Sequence, residues 1–180
     1  DVEGVVRAAF ENIEAGEVKQ GGSTITMQLV RNTYIENPER DLERKIKEAK
    51  LAEELEKELS KEEILERYLN SASYGTVNGR TAVGVEAASQ IYFSKPAKDL
   101  NLEESALLAG LPQAPSINNP LQNEVGAYDR RNEVLDAMAD QGYISDSEAQ
   151  EAMNSPVKVN PSDRYSEIRE PYSFDFVQQQ

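Results

Sequence analysis

The sequence has no cysteine, no histidine and no tryptophan. The missing thiols and imidazoles remove structural zinc, haem ligation, thiol catalysis and a Ser-His-Asp triad from consideration. Acid–base chemistry is left to Asp, Glu, Lys and Tyr. Nor is there an apolar run of the roughly 18 residues that a membrane-spanning helix needs. Nor does the sequence read as opening on a signal peptide: residue 1 is Asp and a helical pattern is expected from the start. Basic residues are outnumbered, 19 to 33, giving a formal net charge of −14. That sign repels a polyanion at long range and argues against nucleic acid as a partner.

With 180 residues and 38% apolar content, the chain suits one modest domain and a tail. The apolar residues are patterned, which separates the sequence from a disordered polymer. Val5, Val6, Ala9, Phe10 and Ile13 recur at helical spacing. A Gly-rich loop through Gly21-Gly22 leads into a short helix from Thr24 to Asn32, with Ser23 as the expected N-cap. After a turn at residues 36–40, a charged helix is expected over 42–59, with Leu42, Ile46, Ala49, Ala52, Leu55 and Leu59 facing inward.

Ser60 with Glu63, Asn101 with Glu104, and Ser145 with Glu148 have the spacing of capping boxes, so helices are expected to start at each. Further helices are expected over 85–93 and 128–140, with Gly75 to Gly84 loop-like between them and the earlier helices. From Pro156 onward the sequence reads as extended, with a strand beginning near Pro171. The expectation is an all-α domain with no sheet of three or more strands.

Two segments have the composition of a binding site. Free backbone N–H groups at a helix start favour an anion, and paired glycines allow close approach to the backbone. Thr24, Gln28 and Arg31 follow at i, i+4 and i+7, on one face of the helix. The same features suit a flexible connection with a solvated helix behind it. Residues 40 to 50 hold five basic side chains against three acidic ones in an otherwise acidic chain. Arg44 and Lys45 lie within one turn of Glu48, which also fits an ion-paired helix surface. Ser155-Pro156-Val157-Lys158 matches S-x-x-K, but no partner motif accompanies it, and the match reads as coincidence.

In order along the chain, Gln20 to Asn32, Arg44-Lys45 to Glu48 with Ser60 to Asn70, Gly84 to Ala88 with Tyr92 to Lys95, and Arg130 to Leu135 with Met138 resemble the motifs of glycosyltransferase family 51. These are the peptidoglycan glycosyltransferase domains of class A penicillin-binding proteins. The resemblance covers residues 2 to 153. It implies an all-α, lysozyme-like fold, N-terminally truncated, in a glycosyltransferase domain over 1–155. Residues 156–180 would be a linker toward a transpeptidase domain.

The implied reaction polymerises lipid II into glycan strands, inverting the anomeric carbon and releasing polyprenyl pyrophosphate. The resemblance places the general-base Glu in a first motif upstream of Asp1, so this fragment is expected to be inactive by itself. It carries over Gln20, Gly21, Gly22, Ser23, Thr24, Gln28, Arg31, Arg44 and Lys45 as substrate-binding residues. Glu48 becomes the family's second glutamate, orienting the basic groups or holding a divalent ion, magnesium or manganese; no cofactor is otherwise implied. Expected partners are lipid II, the growing glycan, the membrane surface and other cell-wall synthesis proteins. The expected location is the extracytoplasmic face of a bacterial membrane, reached through an N-terminal anchor. The alternative reading is a noncatalytic module that binds a lipid-linked substrate or a partner protein.

Overall fold

A computed structural model describes residues 23–35 and 42–161, without the side chains of Leu42 and Glu43. The expected first helix, Gln20 to Gly22, the 36–40 turn and the strand near Pro171 lie outside the described residues. Among those described, seven α-helices and one two-stranded hairpin fall into two compact units, divided between Ala72 and Ser73. None of the described helices is long and apolar enough to cross a membrane.

The first unit contains α1 (Ile25–Tyr34), α2 (Leu42–Glu58) and α3 (Lys61–Ser71). Its N-cap is Thr24, not Ser23: Thr24 is extended and its hydroxyl accepts from the Met27 N–H at 3.1 Å. Both residues are competent caps, but Ser23 Oγ is engaged elsewhere, by Lys45. Met27 and Val30 from α1 meet Ala49 and Ala52 from α2, with Ile35, Leu51 and Leu55 around them. The small alanines let the two helices approach closely. Ile46 departs from the expected inward stripe and is 40% exposed. The buried position at that level belongs to Glu48, which has no exposed surface. Helix α3 starts at the expected capping box, with the Ser60 hydroxyl accepting from Glu63 N–H and the Glu63 carboxylate accepting from Ser60 N–H.

The second unit opens with a hairpin where a loop was expected. Strands β1 (Ser73–Val77) and β2 (Arg80–Val83) pair antiparallel, Thr76 opposite Thr81 and Val77 opposite Arg80. The turn between them is Asn78-Gly79, both at positive φ (51° and 78°), which suits the right-handed twist of a tight hairpin. Gly75, at φ 102°, lies against α4 (Val85–Phe93). A Cβ there would sit 3.0 Å from the Tyr92 hydroxyl and 3.2 Å from Pro115 O. That hydroxyl donates to Tyr74 O at 2.9 Å, and burial pushes the Tyr92 phenol up to about 12.

Helices α5 (Leu102–Gly110), α6 (Glu124–Asp140) and α7 (Asp146–Asn154) follow. Helix α6 starts earlier than the expected Tyr128, because Asn123 caps it by accepting from Gly126 N–H. Ala106, Leu135 and Ala152 form the common core of these three helices. Gly110 allows α5 to pass α6: a Cβ at this position would lie 2.8 Å from Arg130 Cγ. Arg131 is buried and acts as a C-terminal clamp on α7, donating to Met153 O at 2.7 Å and Ser155 O at 2.9 Å. Its guanidinium also stacks 4.7 Å from the Tyr128 ring centroid, adding a cation–π attraction.

Candidate active site

The sequence-identified site residues that are described all belong to the first unit. Helix α2 presents Arg44, Lys45 and Glu48 within one turn, so side chains at i, i+3 and i+4 meet. Lys45 Nζ lies 2.9 Å from Glu48 Oε2, and Arg44 lies 3.5 Å from Glu48 Oε1. The carboxylate is fully buried, whereas the Lys45 side chain retains 34% of its exposure. The carboxylate lies between the two cations and fixes where they stand.

Lys45 also donates to Ser23 Oγ at 2.7 Å. This bond brings the start of the basic helix to the residue that leads into α1. At that helix start, backbone N–H groups lack helical acceptors and the dipole favours negative charge. Thr24 satisfies one of them through its hydroxyl.

On α1, Gln28 Nε2 reaches back to Ser23 O at 3.4 Å, and the Gln28 carbonyl accepts from the Tyr68 hydroxyl of α3 at 3.3 Å. Burial pushes the Tyr68 phenol up, while the charge of Arg31 pulls it back. The Thr26 hydroxyl, on the packed side of α1, donates to Glu56 at 2.6 Å and ties α1 to α2.

The described geometry thus joins Ser23, Lys45, Glu48 and Arg44 in one chain of contacts, and Ser23, Gln28 and Tyr68 in another. Gln20, Gly21 and Gly22 lie outside the described residues. Tyr68 was noted in the sequence only as part of a motif, and its hydroxyl is the added polar group. Its inward position on α3 was legible from helical phase with Ile64, since both are buried. Both Glu48 oxygens lie within 4 Å of a cation, so a divalent ion there would compete with Lys45 and Arg44 for the carboxylate. Among the described residues, no group of three or more acidic side chains gathers as a metal site.

A sequence model of the family described as transglycosylase matches residues 1–139. Penicillin-binding protein 1A of Escherichia coli is 43% identical over the whole chain, which spans 21% of that protein. The Pseudomonas aeruginosa protein of the same name is 42% identical, covering 96% of this chain and 20% of its own. The Aquifex aeolicus protein is 47% identical over 89% of this chain and 22% of its own. A crystal structure of penicillin-binding protein 1A from Haemophilus influenzae superposes with a TM-score of 0.52 and 32% identity. It covers 87% of this chain and 19% of that one. The chain spans about a fifth of the length of these relatives.

Proposed function

The chain belongs to the transglycosylase family, and on that premise we propose that its first unit is the pyrophosphate-binding part of a peptidoglycan glycosyltransferase site. The substrate is lipid II. The acceptor 4-hydroxyl attacks the donor's anomeric carbon with inversion, the bond to pyrophosphate breaks, and polyprenyl pyrophosphate leaves. Negative charge grows on the leaving group as that bond breaks, so fixed cations and N–H donors lower the barrier.

The observation that carries this reading is the Ser23–Lys45–Glu48–Arg44 chain of contacts beside an anion-favouring helix start. Lys45 and Arg44 stabilise the departing pyrophosphate. Arg31 and the N–H groups at the start of α1 assist them. Glu48 orients both cations. It is buried and ion-paired, so it is not placed as the proton acceptor. By family resemblance, that proton goes to a Glu of the first motif. In this reading the protein works at the extracytoplasmic membrane surface, where its lipid substrate lies.

The test is titration of the full-length protein with a polyprenyl-pyrophosphate mimic, together with a labelled lipid II polymerisation assay. Arg44→Ala should weaken binding by about 1–3 kcal/mol, the value of a charge-assisted hydrogen bond. Arg44→Lys should weaken it as well if the fork is used bidentately. Lys47→Ala, an exposed charge on the same helix, is the control. Equal binding by Arg44→Ala and Lys47→Ala would overturn the assignment. Tight binding without polymerisation would favour the noncatalytic module.

A further inference from the structure

The geometry points to Tyr68 as a positioning residue: its hydroxyl sets the orientation of the Gln28 amide, and Gln28 in turn holds the backbone of Ser23 at the mouth of the site. The inference rests on the pyrophosphate-site reading above and adds a group from α3 that touches none of the reacting atoms.

The orientation follows from donor and acceptor chemistry. Ser23 O can only accept. Gln28 must therefore turn its NH2 toward it, as observed at 3.4 Å. The amide oxygen is then left facing α3, where the Tyr68 hydroxyl supplies the donor at 3.3 Å. If the amide flipped, two carbonyl oxygens would face each other at Ser23. A donor at position 68 removes that ambiguity, and Tyr68 is held in place because it is only 9% exposed. Both bonds lie toward the long end of the hydrogen-bond range.

Ser23 is thereby gripped from two sides. Lys45 of α2 takes its side-chain oxygen at 2.7 Å, and Gln28, under the control of α3, takes its main-chain oxygen. A residue held at both oxygens fixes the direction in which the chain enters α1, and with it the direction of the N–H groups that start the helix. The cleft lined by Thr33, Tyr34, Glu66 and Arg67 has an exposed, mixed-charge rim, and the groove along residues 157–160 follows an irregular segment that the Tyr128 hydroxyl holds at Val157 O.

The experiment is a double-mutant cycle in the full-length protein with Tyr68→Phe, Gln28→Met and the double variant. The readouts are kcat and KM on lipid II, affinity for a polyprenyl-pyrophosphate mimic, and thermal melting. Tyr68→Phe keeps the ring and loses only the hydroxyl. Each single variant should lower kcat by about 10- to 100-fold, the range for small misplacements in an active site, with KM changed less than threefold. The double variant should be no slower than the worse single one, because Tyr68 acts through Gln28.

Multiplying effects would overturn the relay, as would an unchanged kcat for Tyr68→Phe. A lower melting temperature with unchanged kcat would reduce Tyr68 to a packing residue. Gln28→Glu keeps the acceptor for Tyr68 and loses the donor to Ser23. It should therefore be as slow as Gln28→Met, and full activity in Gln28→Glu would also refute the proposal. Failure of the underlying reading is distinguishable, since the parent protein would then neither bind the mimic nor polymerise lipid II.

Discussion

Ser23 and Lys45 are joined by a 2.7 Å hydrogen bond across 22 residues of sequence. That contact links the residue before the α1 N-cap to the first turn of α2, and it makes the carboxylate behind Lys45 decisive. Glu48 is buried, so Glu48→Gln removes the carboxylate that Lys45 and Arg44 share. Stability should fall on the order of 2 kcal/mol, the scale of a hydrogen bond to a charged group. Chemical denaturation checks the value; an unchanged midpoint would show that the pairing contributes nothing.

Residues 1–180 alone should polymerise lipid II only at background rate. Glu48 is occupied by two cations, and loss of a general base costs about 10²- to 10⁴-fold. Gel analysis of labelled product decides it. Long glycan chains made by this fragment would mean that another carboxylate takes the proton.

The helix starts at Ser60 and Ser145 should weaken in acid. Backbone and hydroxyl donors of Ser60 and Ser145 hold the Glu63 and Glu148 carboxyls below their ordinary value near 4.5. A group with a depressed folded pKa contributes stability above its unfolded pKa and loses it as pH falls through the folded one. The loss should therefore begin below about pH 4.5. Glu63→Gln with Glu148→Gln should flatten this part of the pH–stability curve. An identical acid limb in parent and double variant would refute the linkage.

Leu135 has no exposed surface, whereas Val125 is 71% exposed. Leu135→Ala should cost about 2–5 kcal/mol through lost burial and a cavity. Val125→Ala should stay within about 0.5 kcal/mol. Equal effects on thermal unfolding would show that the shared core of α5, α6 and α7 is misassigned.

Helix starts were the most legible part of the fold. Ser60/Glu63, Asn101/Glu104 and Ser145/Glu148 form the reciprocal boxes that their spacing announces. This is because capping is local, decided within four residues. Ser23 was misassigned as a cap for the opposite reason, since a lysine far along the chain engages its hydroxyl. The hairpin was missed although Asn78-Gly79 is a strong two-residue turn signal, because strands this short, with Gly75 inside them, lack a clear alternation. The basic cluster was visible as composition. The burial of Glu48 in place of Ile46 was not, because helical phase alone cannot tell which neighbour a face will meet. Tyr68's polar role needed the third helix to be in place.

The close passage at Gly110 also constrains how such a sequence can drift. The space a side chain would need there is filled by the stem of Arg130, twenty positions along the chain and on another helix. A lineage that acquires even a methyl group at 110 must shorten or redirect the side chain at 130, so what position 110 tolerates depends on what stands at 130.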